Sequence, residues 1–173
     1  IHGFRRINIA IELAELMPSD RSSKVIDILQ NSEARPAIVY APTRQKTEDL
    51  AGELERFIPA APYHAGLSAE TRDSVQTSFL SGRLDVIVAT IAFGMGIDKS
   101  NVRTVIHTAL PGSLEGYYQE IGRAGRDGKP SRAILLHSYG DRRVHHFFHE
   151  KSYPHEDILK TIHARLTDKK QTS

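Results

Sequence analysis

The sequence predicts an α/β domain built on a mostly parallel sheet. Short apolar runs (37–40, 84–89, 102–107 and 133–136) alternate with stretches of helical spacing, the pattern of strand–helix–strand units. Apolar residues make up 39% of the 173 residues and charged residues 25%, enough for a packed core. The side chains with the most chemistry, by contrast, gather in the loops between these runs, and sheet logic puts function in loops at the carboxyl ends of strands.

In chain order, Ile7, Ile9, Ile11 and Leu13 alternate along one face of a strand over Arg6 to Leu13. Pro18-Ser19-Asp20 turns the chain and caps a helix carrying Val25, Ile26, Ile28 and Leu29, which Arg35-Pro36 breaks. Ala37–Tyr40 is a short apolar strand. The helix after it bears Leu50, Leu54 and Phe57 on one side. Pro59–Tyr63 is at best a weak strand limited by its prolines, and Ser68 caps a helix that turns Val75 and Phe79 inward. Leu84–Ala89 and Val102–His107 are buried strands, and Ser113–Ile121 is a helix with Leu114, Tyr117, Tyr118 and Ile121 on one side. Ala133–Leu136 is the last strand.

Several function classes are excluded or constrained by composition. No apolar run is long enough for a transmembrane helix, and no membrane partner is expected. There are no cysteines, which removes disulfides and any cysteine-based zinc site from this piece. Net charge is only +2, so a nucleic-acid role must come from local patches. The chain opens Ile1-His2-Gly3-Phe4 and reads as an internal piece, without a signal-peptide pattern.

Four loops carry candidate chemistry. After 37–40, Thr43 sits where a helix starts, and free N–H groups there favour an anion; Arg44 and Lys46 add charge. An ordinary helix cap explains the same residues. In Tyr63-His64-Ala65-Gly66-Leu67-Ser68, the small pair Ala65-Gly66 lets a backbone come close, and His64 can donate to a phosphate; a plain strand–helix turn is the alternative. In the stretch 88–98, Thr90 at a strand end can reach a phosphate, Gly94 and Gly96 allow a close-crossing loop, and Asp98 can accept from a ribose hydroxyl. Gly94-Met95-Gly96 lacks the third glycine and following helix of a dinucleotide fingerprint.

The fourth loop organises the rest: Gln119-Glu120-Ile121-Gly122-Arg123-Ala124-Gly125-Arg126-Asp127-Gly128. Arg123 and Arg126 stand among small residues that keep side chains away. A planar, permanently charged guanidinium grips phosphate bidentately without giving up a proton. Taken alone, the pair could equally be solvated charges tied to Glu120 or Asp127.

Two weaker constellations are set aside. His145 and His149 lie one helical turn apart but lack the Glu of H-E-x-x-H. Glu115 and Glu120 fall off a common helix face, against paired acid–base work.

Together these motifs resemble superfamily-2 helicases: Q-x-x-G-R-A-G-R-D-G, A-T-x-A-F-G-M-G-I-D followed by Asn101-Val102-Arg103, and Y-H-A-G-L. Tyr117-Tyr118 before Gln119, with Glu115, is similar to the RecQ group of ATP-dependent DNA helicases, as is Gly3-Phe4-Arg5-Arg6-Ile7-Asn8 with its G-F-x-R-x-N opening. The resemblance implies a RecA-like fold with helices on both faces of the sheet, namely the second such domain of the motor. It implies an interdomain linker strand and first helix over 1–35 and the RecA-like domain over 36–140. The change of character after Tyr139 makes 141–173 a helical appendage or linker, which departs from the family plan in lacking the zinc-binding cysteines that many RecQ proteins carry there.

The resemblance further implies ATP with Mg²⁺, the ion held mainly by a first RecA-like domain of the same protein. Neither G-x-x-x-x-G-K-[ST] nor a magnesium-binding acid box occurs here, so this chain alone is not expected to hydrolyse ATP. Arg126 would be the finger on the γ-phosphate, Arg123 its neighbour, and Gln119 a coupler of nucleotide to closure; Gly96 and Asp98 would lie at the nucleotide. Thr43, Arg44, His64, Ala65, Gly66 and Thr90 would bind the nucleic-acid strand. Partners would be single-stranded and duplex DNA, in an intracellular, DNA-associated setting of repair or recombination. Three other readings stay open: an RNA helicase or translocase of the same superfamily, a non-catalytic nucleic-acid-binding module, and, least supported, a Rossmann-type small-molecule enzyme.

Overall fold

The middle of the sheet is set by strands that are apolar at nearly every position. β2 (Ala37–Tyr40), β4 (Val86–Ala89) and β5 (Thr104–His107) are buried at all four positions each. Such runs fit a parallel sheet covered on both faces. In the computed structural model, which describes residues 6–91, 93 and 98–141, these strands join β1 (Ile9–Glu15), β3 (Ala60–Tyr63) and β6 (Ser131–His137). The sheet is six-stranded, in the order β1-β6-β5-β2-β4-β3, and every pairing is parallel. Pro62 is accommodated because β3 is an edge strand, where a missing N–H costs no ladder bond on the open side.

Alternation along the strands feeds two cores. On one face Val39, Val88, Ile106 and Leu136 meet Val25 and Leu29 of α1 (Arg21–Gln30) and Leu50, Ala51 and Leu54 of α2 (Arg44–Glu55). On the other face Ile38, Ile87, Val105 and Ala133 meet Phe79 of α3 (Ala69–Leu80) and Tyr117 and Ile121 of α4 (Leu114–Ile121). Helices therefore cover both faces, as expected of a RecA-like domain. Side-chain caps start three of them: Thr43 accepts from the Lys46 N–H, Ser68 from Thr71 and Ser113 from Gly116.

Three predicted apolar faces are only partly used. Ile11 and Leu13 are 53% and 68% exposed, because β1 is an edge strand whose Ala14, with Leu16 just beyond its end, packs on the α1 side. Phe57 is 62% exposed: α2 stops at Glu55 and the following turn gives the inner place to Ile58. On α4, Tyr117 and Ile121 are buried while Leu114 and Tyr118 face out, since the sheet covers only half of that apolar arc.

The residues Ile1–Ser138 form one compact unit; of the second, Tyr139–Ser173, only 139–141 are described. The appendage over 142–173, the pair His145 and His149, residues 3–5 and Gly96 lie outside the described residues. Among those described, no helix is long and apolar enough to cross a membrane.

Candidate functional site

The arginine loop follows from a short helix that ends in small residues. Tyr117 and Ile121 anchor α4, and the chain then tightens through Gly122 to Gly128. Gly125 has φ +56, and a Cβ there would meet Asn8 Nδ2 at 2.5 Å, Ser131 Oγ at 2.6 Å and the Lys129 carbonyl at 2.8 Å. Only glycine fits both constraints. The loop is fastened from several sides. Gly125 N–H donates to the Val102 carbonyl (2.8 Å) and Asp127 N–H to that of Ser100 (3.0 Å). Arg103 Nη2 donates to both carboxylate oxygens of Asp127, at 2.6 and 2.7 Å, and holds its carboxyl below the usual carboxylate range. Arg6 and Asn8 donate to the loop carbonyls of Gly125 at 2.7 Å each.

The two arginines diverge. Arg126 is exposed, and its Nη1 lies 2.9 Å from Asp98 Oδ1, a residue from the long β4–β5 connection. Arg123 is buried and lies beside the Tyr40 phenol. Tyr40 donates to the Phe93 carbonyl at 3.1 Å. Burial pushes that phenol up to about 12, with the Arg123 guanidinium pulling the other way. Gln119 is exposed on α4.

Sequence reasoning missed a pair that joins buried His107 to Glu120 of α4. His107 Nε2 lies 2.6 Å from Glu120 Oε2, the carboxylate set aside above for its helical spacing. The His107 ring stacks on Tyr40 (5.0 Å, 21°) and meets Tyr117 edge-on (5.0 Å, 65°). The ends of β2 and β5 are thereby tied to the helix leading into the arginine loop. The available signal was a histidine at the end of a run read as a buried strand.

A second cluster forms at the carboxyl ends of β2, β3 and β4. Thr43 and Arg44 open α2, with the Thr43 hydroxyl used as its cap (3.2 Å from the Lys46 nitrogen). His64 is buried, and both its ring nitrogens are engaged: Nδ1 accepts from Gly66 N–H (3.2 Å) and Nε2 faces Glu48 Oε1 (2.9 Å). With Nδ1 accepting from Gly66, Nε2 is the ring nitrogen turned to the Glu48 carboxylate. The ring therefore shapes the loop, and what it presents outward is the exposed Ala65-Gly66 backbone. The Arg44 side chain lies directly over Gly66, where a Cβ would come within 3.2 Å of it. Thr90 joins through its N–H to the Tyr63 carbonyl, 3.2 Å.

The expectation that every motif falls at the carboxyl ends needs correction. Thr43, Arg44, His64, Gly66 and Thr90 do follow β2, β3 and β4, but the arginine loop leads into the amino end of β6. It is hydrogen-bonded to Ser100 and Val102, which precede β5, while Asn8 precedes β1. The described residues of the β4–β5 connection differ in place: Thr90 follows β4, while Ser100 and Val102 lead into the amino end of β5. Lys99 is anchored 3.3 Å from the Leu80 carbonyl and 5.2 Å over the Phe79 ring.

The parallel six-stranded sheet with helices on both faces defines a RecA-like domain. The helicase conserved C-terminal domain family matches residues 20–128, and the chain belongs to it. Within that family it is similar to RecQ-type proteins. It is 42% identical over 159 residues to the ATP-dependent DNA helicase RecQ of Bacillus subtilis (strain 168), covering 91% of this chain and 26% of that protein. It is 46% identical over 142 residues to the RecQ-like DNA helicase blm-1 of Caenorhabditis elegans, covering 82% of this chain and 14% of that protein. Among solved structures, a DEAD box protein from the hyperthermophile Methanococcus jannaschii superposes with a TM-score of 0.71 at 27% identity, over 85% of this chain and 40% of that one.

Proposed function

We propose that this chain is the second RecA-like half of an ATP-dependent DNA helicase of the RecQ type, translocating 3′ to 5′, and that it supplies the arginine finger and part of the strand-binding face. The observation that carries this reading is the meeting of Arg126 and Asp98 at 2.9 Å from two motif loops. The donor set suits a nucleotide: an exposed guanidinium for a phosphate and a carboxylate, 86% exposed, for a ribose hydroxyl. An exposed ion pair of this kind is worth only about 0–1 kcal/mol. A polyphosphate that accepts both guanidinium bonds therefore replaces Asp98 at little cost.

In this reading ATP lies between this domain and a first RecA-like domain of the same protein. Arg126 neutralises charge on the transferring phosphoryl group, which needs a positioned cation more than a proton shuttle. Arg123, buried against Tyr40, holds the loop and adds positive potential. Gln119, exposed on α4, couples the same nucleotide to closure. In the same reading Mg²⁺ is held mainly by the first RecA-like domain.

Thr43, Arg44, Ala65, Gly66 and Thr90 form the face toward the DNA backbone, with His64 acting through the loop it shapes. Opening and closing of the cleft converts turnover into steps along the strand. The test is ATP turnover of the full-length protein with single-stranded DNA, with RNA and with neither. Stimulation by DNA is expected. Stimulation by RNA alone would move the protein to the RNA-directed branch of the superfamily, and no turnover in any condition would leave only a binding surface.

A further inference from the structure

The chain that leads into β1 is bonded to the arginine loop at its most constrained point, across more than a hundred residues of sequence. Arg6 Nη2 donates to the carbonyls of Gly125 (2.7 Å) and Ala124 (3.2 Å), and its Nη1 reaches that of Gly122 at 3.4 Å. Asn8 Nδ2 donates to the carbonyls of Gly125 (2.7 Å) and Lys129 (3.0 Å). The Asn8 carbonyl accepts from Ser131 N–H at 2.9 Å, and its side-chain oxygen accepts from Arg6 Nε at 3.4 Å. The two side chains thus brace each other and act on the same peptide units.

Which peptides they hold is informative. A peptide unit is planar and rigid, so fixing the Gly125 carbonyl fixes the plane from which the Arg126 Cα–Cβ bond projects. The Gly122 carbonyl does the same for Arg123. Gly125 sits at φ +56, and without donors its carbonyl would be free to reorient toward water. Arg6 brings a charged fork to this carbonyl, and such bonds are stronger than neutral ones. A contact serving stability alone would have no need to converge on the peptides either side of the two arginines.

We propose that Arg6 and Asn8 are positioning residues for Arg126: together they hold the Gly125–Arg126 peptide in the orientation that aims the arginine, and tie that aim to the segment of chain leading into β1. The proposal rests on the reading of Arg126 as the finger. It deepens that reading by making residues 6–8 a point through which movement of the incoming chain reaches the nucleotide.

The experiment uses the full-length protein with Arg6→Ala, Arg6→Lys, Asn8→Asp, Arg126→Ala and the double variant Arg6→Ala/Arg126→Ala. ATP turnover on single-stranded DNA is measured together with KM for ATP, DNA affinity, the melting temperature and amide exchange over residues 122–130. Misplacing a catalytic group by about 1 Å costs about 10²-fold. The expected result is a fall of that order in kcat for Arg6→Ala, with KM for ATP and DNA affinity within about twofold of the parent. Arg6→Lys, which keeps the charge and loses the fork, should recover part of it, and exchange over 122–130 should quicken. On the Arg126→Ala background, Arg6→Ala should have no further effect on turnover, because its target is gone.

An additive double variant, or Arg6→Ala with parental kcat, overturns the proposal while Arg126 remains the finger. Parental turnover in Arg126→Ala overturns the finger reading and the proposal with it. Should Arg6→Ala melt below the assay temperature, Asn8→Asp decides: it keeps the size of the side chain but sets oxygens against the Gly125 and Lys129 carbonyls. A fall in its kcat at unchanged KM supports positioning, and a parental kcat overturns it.

Discussion

Replacing Gly125 by alanine separates two costs that usually travel together. At φ +56 an alanine pays about 1–2 kcal/mol for the left-handed backbone. Its Cβ would also stand 2.5 Å from Asn8 Nδ2, forcing that side chain away from the carbonyls of Gly125 and Lys129. Two neutral hydrogen bonds at about 1 kcal/mol each add about 2 kcal/mol, for a total of about 3–4 kcal/mol. Gly82→Ala is the internal control: φ is +81, but a Cβ there meets nothing within 4 Å. It should lose only the backbone cost. For a chain of this length, a difference of about 2 kcal/mol is about 4–8 °C in melting temperature. Thermal and urea unfolding followed by circular dichroism would measure both variants. Equal destabilisation by Gly125→Ala and Gly82→Ala would refute the close approach of Asn8, and with it the account of how the arginine loop is held.

Other expectations follow from single contacts. Tyr40→Phe removes the donor to the Phe93 carbonyl and the hydroxyl beside Arg123, and should cost about 1–2 kcal/mol in urea unfolding; an unchanged midpoint would contradict this. Arg44→Ala, if Arg44 contacts one phosphate, should reduce the slope of log affinity for single-stranded DNA against log salt by about 0.7; an unchanged slope would remove Arg44 from the interface. Arg103 depresses the Asp127 carboxyl, so this pair contributes stability above the ordinary aspartate value of about 3.9, lost as pH falls through the lower folded-state value. Asp127→Asn should therefore show a shallower loss of melting temperature than the parent between about pH 5 and about pH 2. Parallel curves would argue that Arg103 holds the loop without selecting the ionised form.

The sheet was legible because its buried parallel strands are continuous apolar runs, and β2, β4, β5 and β6 stand where those runs stand. Periodicity named the apolar faces but not how far each is covered. Ile11, Phe57 and Tyr118 are exposed because an edge position, an early helix stop and a half-covered arc are tertiary facts. At the site, residue types and loops were readable while partners were not. Asp98 and Arg126, 28 residues apart, were singled out for the same ligand and the structure puts them side by side. His64 stood out as a polar residue in a small-residue loop, yet nothing local announces that Glu48 and the Gly66 N–H take up its ring. Glu120 was discounted from helical spacing because its partner, His107, comes from a strand. The Arg6 and Asn8 contacts run to backbone carbonyls, which every residue carries, so no side-chain pattern could mark them.

The central claim is that Arg126 is the charge that completes the nucleotide site. Its most direct test is single-turnover ATP hydrolysis by the full-length protein on single-stranded DNA, comparing the parent with Arg126→Ala and Arg126→Lys. Loss of a finger costs about 10³-fold or more, so Arg126→Ala should fall by that factor while ATP and DNA still bind. Arg126→Lys should recover little, because a point charge does not replace a bidentate fork. Hydrolysis within a few-fold of the parent in Arg126→Ala would contradict the claim and leave the Asp98–Arg126 pair as a surface ion pair.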